Sequence, residues 1–173
     1  VGGAPERFGQ SRREFHDWII KRAQSWPHSL NTTSTHDSKR SEDVRARLNV
    51  LAELPEEWKD LLGIWQGLNR QHKSRVGRYP APDNNDEYLF YQTLLGTYPF
   101  RPEENSDYLP RIKEYMLKAC REAKVHTDWI NQNEPYEKAI LDFTDAVLNP
   151  DTNNPFWETF IPFEQKIAFY GVF

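Results

Sequence analysis

Pro55-Glu56-Glu57-Trp58-Lys59-Asp60-Leu61-Leu62-Gly63-Ile64-Trp65-Gln66-Gly67-Leu68 decides the fold class of this chain. Trp58, Leu61, Leu62, Trp65 and Leu68 recur at spacings of three and four, which places them on one face of a helix. Pro55 suits the first turn of that helix, where a missing N–H removes no intrahelical bond. Trp58 and Trp65 stand seven residues apart on the apolar face and read as core anchors. The same period extends in both directions. Upstream, Ser11-Arg12-Arg13-Glu14 has the spacing of a capping box and opens a helix from about Ser11 to Ser25, with Phe15, Ile19 and Ala23 on one face. Val44, Leu48 and Leu51 form another stripe in a helix that follows Ser41. Downstream, helices are predicted over Asp86 to Tyr98, Pro110 to Lys124, Glu134 to Leu148 and Pro155 to Tyr170. His28 to Thr35, short and Thr-rich after Pro27, suits at most one short strand, and His72 to Asn85, with Gly77, Pro80 and Pro82, reads as a long loop. No segment alternates at period two for long, so the expected class is all-α.

Composition narrows the functional classes. At 173 residues the chain has room for one ordinary core. Lys and Arg number 22 against 26 for Asp and Glu, so a net charge of -4 offers no general attraction for phosphate backbones, and nucleic acid is excluded as an expected partner. No apolar run approaches the roughly 20 residues of a membrane span. The lone Cys120 has no internal disulfide partner and no signal-like N-terminus is visible, which fits a reducing cytoplasm. The chain opens on Val1-Gly2-Gly3 without Met and stops inside the apolar run Ile167 to Phe173, as an excised piece would.

Two segments carry site chemistry. Thr33-Ser34-Thr35-His36-Asp37-Ser38-Lys39-Arg40-Ser41-Glu42-Asp43 concentrates hydroxyls, an imidazole, carboxylates and cations ahead of a helix. On spacing alone Asp37 reads either as a cap for that helix or as a carboxylate that holds a ligand. Lys39 and Arg40 stand near a helix N-terminus, where the macrodipole disfavours cations. They either touch substrate hydroxyls or orient Asp37, or they pair locally with Glu42 and Asp43, while Arg45 and Arg47 read as a solvated or interface face. The second segment, Arg121-Glu122-Ala123-Lys124-Val125-His126-Thr127-Asp128-Trp129, supplies a cation, an imidazole and an indole. Such a mixture suits a sugar, whose apolar face stacks on an indole while charged groups take its hydroxyls. The alternative is that Lys124 closes the helix dipole and Trp129 packs into the core. His16-Asp17 and His36-Asp37 also form the two His-Asp pairs of a metal phosphohydrolase of the HD type, although no His, Cys or carboxylate spacing resembles a zinc site. A helical interaction module without catalysis is a third reading. There is no phosphate-cradling Gly loop and no Ser nucleophile motif.

The first segment resembles the fourth conserved segment of the α-amylase superfamily in the form carried by maltooligosyltrehalose synthases. The resemblance continues in order through Phe8-Gly9-Gln10-Ser11 with Glu14-Phe15-His16, Trp26-Pro27-His28 and Val44-Arg45-Ala46-Arg47-Leu48-Asn49-Val50. It extends through Asn85-Asp86-Glu87-Tyr88-Leu89, Tyr91-Gln92-Thr93-Leu94-Leu95-Gly96 and Tyr115-Met116 to Arg121-Glu122-Ala123-Lys124. It implies a fragment of an enzyme that converts the reducing-end α-1,4 link of a maltooligosaccharide into an α,α-1,1 link by intramolecular transglycosylation, a step of trehalose biosynthesis. Asp37 would stabilise the transition state and His36 would bind the same sugar, with Lys39, Arg40, Lys124 and Trp129 as further substrate contacts. Residues 1–40 would derive from a (β/α)8 barrel, 28–35 being the end of its seventh strand, and 41–173 would be a helical domain inserted before the eighth. The implied partners are the maltooligosaccharide and the rest of the same enzyme. No cofactor or metal is implied, and the isolated chain is expected to be inactive because the nucleophile and acid/base segments lie outside it. Asp128 stands where the family usually has Ser and Gln132 where it usually has Pro, which argues against a direct role for Asp128.

Overall fold

A computed structural model describes residues 6, 9–101, 106–149 and 154–172, so Val1, Gly2, Gly3, Phe8 and Phe173 named above lie outside the described residues. The chain divides into two compact units, Val1–Glu42 and Asp43–Phe173.

In the first unit, helix α1 (Arg12–Ser25) begins at the predicted capping box. Ser11 Oγ accepts the Glu14 N–H at 3.2 Å while the Glu14 carboxylate accepts the Ser11 N–H at 2.8 Å, which holds the Glu14 carboxyl below the usual range. None of its residues is buried, and Phe15, Trp18, Ile19 and Ile20 on it are all exposed. The strand allowed for at 28–35 does not form: those residues are turn, bend and irregular chain. An isolated segment with no strand beside it has nothing to receive its backbone hydrogen bonds.

The second unit is helical apart from a small hairpin. Helices α2 (Glu42–Val50), α3 (Pro55–Asn69), α4 (Asn84–Thr97), α5 (Tyr108–Ala123), α6 (Glu134–Leu148) and α7 (Phe156–Tyr170) follow in order. Each bound lies within two residues of the sequence reading wherever one was made, and α6 matches at both ends. The hairpin is a correction. Within the stretch read as a loop, strands β1 (Ser74–Val76) and β2 (Tyr79–Ala81) pair antiparallel, Val76 opposite Tyr79. Gly77, with φ +61°, supplies the left-handed residue that a two-residue hairpin turn needs. Three-residue strands are too short to show alternation, and Pro80 argues locally against a strand at all.

Trp65 lies at the centre of the core and is fully buried. Rings of Phe156, Tyr91, Phe160 and Trp58 stand 5.3, 5.4, 5.6 and 5.7 Å from it, so α3, α4 and α7 converge on one indole. Its Nε1–H donates to Thr159 Oγ1 at 3.0 Å, which satisfies the polar end that burial would otherwise strand. The sequence reading put Arg47 on a solvated or interface face; it is instead buried. Arg47 Nη1 donates to the Tyr98 carbonyl at 2.8 Å and pairs with Glu164 Oε1 at 3.2 Å, while its guanidinium carbon lies 4.6 Å from the Phe100 ring.

At Gly96, α4 passes close to Val44 of α2. A Cβ there would lie 2.6 Å from Val44 Cγ1, and the β-branched Val44 has few other rotamers. Gly96→Ala is therefore expected to destabilise the fold by about 1–3 kcal/mol through overpacking, although in an open helix the same change stabilises by roughly 0.5–1 kcal/mol. Adding Val44→Ala should recover part of the loss in urea unfolding. A Gly96→Ala protein at least as stable as the parent would show that the two helices separate freely.

Among the described residues no helix is long and apolar enough to cross a membrane.

Candidate functional site

His36 and Asp37 occupy the tip of a turn knit by hydroxyl groups. Ser38 Oγ donates toward the Thr35 carbonyl at 2.8 Å and accepts the Thr35 N–H at 3.1 Å, while the Ser38 N–H reaches Thr35 Oγ1 at 3.3 Å. Ser and Thr side chains favour such turns because they offer the backbone local partners. The chain reverses at Lys39, whose φ of 57° is left-handed, and Thr33 Oγ1 bonds the Glu42 carboxylate. The turn presents both side chains outward, with His36 78% and Asp37 61% exposed, and His36 Nδ1 lies 3.4 Å from Asp37 Oδ1. Asp37 does not cap α2, which starts at Glu42; His36 is its hydrogen-bond neighbour among the described residues. Lys39 is exposed and Arg40 partly buried on the same turn.

The second unit builds the other segment around the end of α5. Lys124 caps α5 with φ 56°, a conformation usually left to glycine. Asp128 Oδ1 then accepts the N–H groups of Ile130 at 2.7 Å and Asn131 at 2.6 Å, and these bonds hold its carboxyl below the ordinary range. Asp128 thus shapes a turn. Trp129, carried on that turn, is 52% exposed, which removes the reading of Trp129 as a core residue. The Arg121 guanidinium carbon stands 5.1 Å from its ring centroid. His36, Asp37, Lys39 and Arg40 are thus gathered in the first unit, and Lys124 and Trp129 in the second.

Sequence reasoning missed the residues that hold this second segment in place. The Glu137 carboxylate accepts Arg121 Nε at 2.9 Å and Nη2 at 2.7 Å, and also Thr127 Oγ1 at 2.6 Å. The bond from Arg121, against the opposing effect of burial and with help from Thr127, holds the Glu137 carboxyl below its usual range. Asp83, the N-cap of α4, brings Oδ2 to 2.7 Å from His126 Nε2. The His126 ring stacks on Tyr136 at 4.3 Å, and the Tyr136 hydroxyl donates to Asp86 Oδ2 at 2.5 Å. Burial, opposed by the Tyr136 bond and helped by the nearby Asp83 charge, raises the Asp86 carboxyl. Burial raises Asp83 too, but the donors from Asp86 and His126 outweigh it and leave that carboxyl low. Asp83 and His126 are 43 positions apart and Asp86 and Tyr136 are 50 apart, so no spacing rule links them. Their only local signal is the Asp83 cap position.

Asp83, Asp86 and His126 offer ligand atoms within 4.8 Å of one another, dimensions that suit a metal ion. Each already takes part in the hydrogen bonds just described, which account for the arrangement without an ion. Neither His16-Asp17 nor His36-Asp37 joins a third His, Cys, Asp or Glu in such a group among the described residues, so nothing supports the HD phosphohydrolase reading. A groove of about 660 Å³ between the end of α3, the hairpin and the start of α4 is lined by Arg70, Lys73, Arg75 and Glu87, and holds none of the six expected site residues.

No family model matches the chain. A Mycobacterium tuberculosis protein named as a maltooligosyl trehalose synthase is 39% identical over 149 residues, which are 86% of this chain and 18% of that protein. The crystal structure of a hypothetical maltooligosyl trehalose synthase from Sulfolobus tokodaii superposes with a TM-score of 0.77 at 37% identity, covering 99% of this chain and 22% of that one. A structure named DSM5389 glycosyltrehalose synthase gives a TM-score of 0.75 at 41% identity, covering 99% and 21%. The chain therefore spans about a fifth of the length of the relatives it matches.

Proposed function

Since the chain belongs to the maltooligosyl trehalose synthase family, we propose that within an intact enzyme it supplies part of a glycosyl-transfer site acting on maltooligosaccharides. In this reading the reducing-end α-1,4 link is cleaved, the released glucose stays bound, and its anomeric hydroxyl attacks to form an α,α-1,1 link. Such a retaining transfer passes through an oxocarbenium-like transition state between two carboxyl groups, a nucleophile and an acid/base. Asp37 would be a third carboxylate, holding ring hydroxyls and favouring the distorted sugar, with His36 contacting the same ring. The nucleophile and acid/base would come from the remainder of the enzyme, in which residues 1–40 would belong to a barrel and 41–173 to an inserted helical domain.

The observation that carries this reading is the Asp37 carboxylate. It is exposed at the tip of a turn shaped by Thr35 and Ser38, and among the described residues it neither caps a helix nor pairs with a lysine or arginine. A group so placed is available to a ligand. Lys39 and Arg40 lie on the same turn, within reach of further hydroxyls, and Lys124 with the exposed indole of Trp129 suits another sugar ring. Water must be kept from the glycosyl-enzyme in such a reaction, since hydrolysis competes with re-attachment. A cytoplasmic setting fits this chemistry.

The purified 173-residue chain is expected to neither isomerise nor hydrolyse maltooligosaccharides, whereas the intact enzyme should do the former. Turnover by the chain alone, above that of the same chain with Asp37→Asn, would show that it holds a complete site and would sink this assignment.

A further inference from the structure

We propose that Glu137 is the positioning residue for a sugar platform formed by Trp129, acting through Arg121; this rests on the reading of Trp129 as a substrate contact given above. An indole that is half exposed can serve a sugar only if its plane is held, because a free ring must be ordered when the sugar docks. Two restraints act on Trp129. Its backbone is fixed by Asp128, whose Oδ1 takes the two N–H groups that follow Trp129, while the Asp128 N–H donates to the Asn131 carbonyl at 3.2 Å. Its ring is flanked by the Arg121 guanidinium at 5.1 Å.

A guanidinium restrains a ring only if it is itself restrained. Glu137 does this through two parallel bonds, Nε to Oε1 at 2.9 Å and Nη2 to Oε2 at 2.7 Å, which fix the plane of the group as well as its position. Glu137 is itself clamped: its side chain is 9% exposed, it sits in the first turn of α6, and Thr127 Oγ1 donates to Oε1 at 2.6 Å. Thr127 Oγ1 in turn accepts the Asn133 N–H at 3.0 Å, so the start of α6 and the segment carrying Trp129 share one network. The chain of restraint runs from α6 through Glu137 and Arg121 to an exposed aromatic face. A tie made only to join α5 to α6 would not need a planar cation lying against an indole. A lysine would serve it as well.

The test is steady-state kinetics on maltooligosaccharide with the intact enzyme carrying this chain, together with thermal unfolding. Trp129→Ala should raise KM. Glu137→Gln, and Arg121→Lys, which keeps the charge pair but loses the planar fork, should each raise KM by about 2- to 10-fold, the effect of freeing one such side chain, with kcat little changed. In the background of Trp129→Ala neither change should add to the rise. If Trp129→Ala leaves KM unchanged, the platform reading fails and this proposal with it. If Trp129→Ala raises KM but Arg121→Lys does not, or if the changes add fully, the platform stands and the positioning role is overturned. Should Glu137→Gln fail to fold, Arg121→Lys alone decides.

Discussion

In the intact enzyme, Asp37→Asn is expected to lower kcat by roughly two to three orders of magnitude, the effect of removing one group that stabilises transition-state charge. The melting temperature should stay nearly the same. The side chain is 61% exposed and its hydrogen-bond neighbour is His36 at 3.4 Å, a separation too long for a strong bond, so little native structure depends on it. Surface changes of this kind stay within about 0.5 kcal/mol. The amide is nearly the same shape as the carboxylate, so the comparison isolates charge. The kinetic signature matters as much as the size. A group acting on the distorted sugar should lower kcat and kcat/KM together, whereas a simple binding contact would raise KM alone. Near-normal turnover would return Asp37 to the role of a turn residue.

The largest expected effect on stability belongs to Arg47 and Glu164, whose side chains are 10% and 5% exposed. Removing one member of a buried ion pair leaves the other charged and unpaired, which costs about 3–5 kcal/mol. Arg47→Met should therefore destabilise the helical unit by that amount near pH 8, as read by urea unfolding. It also removes the bond to the Tyr98 carbonyl. The loss should shrink in acid. Burial, only partly offset by Arg47, pushes the Glu164 carboxyl up to about 7 from 4.5. Between these values the folded state holds a proton that the unfolded state has released, so this group makes stability fall as pH rises from about 4.5 to about 7. Below that window Glu164 is neutral in both states and needs no partner. Glu164→Gln should abolish this part of the pH dependence. An unchanged difference between pH 5 and pH 8 in that variant would show that Glu164 is ionised throughout.

The Arg47 case also shows where reading the sequence stops. A helix with Val44 and Leu48 on one face leaves Arg47 beside the stripe, and its local pattern is the same whether it meets water or a carboxylate. The carboxylate lies 117 residues away, on α7. Glu137 is similar. In the sequence it is one of two acids in the first turn of a helix, where an acid is expected in any case. Only the packing of α5 against α6 turns it into the anchor of Arg121. The hairpin at Ser74–Ala81 was missed for another reason, since each strand is shorter than one readable period and Pro80 masks the pairing.

What the sequence determined by itself is local or carried by family likeness. Capping at Ser11 and Glu14, Pro55 in a first turn and the three-and-four spacing of Trp58 to Leu68 are short-range effects, and each appears where it was read. His36 and Asp37 stand out as candidates because a run of hydroxyls, an imidazole and a carboxylate is unusual ahead of a helix and resembles a known segment. The tertiary structure alone decided which charges are buried and which aromatic is displayed. Trp65 and Trp129 are the same residue type, yet one is fully buried and the other half exposed. The physical reason is that burial and pairing depend on which surfaces meet, and in this chain the decisive partners of Arg47, Arg121 and His126 lie 117, 16 and 43 residues away, beyond any local period.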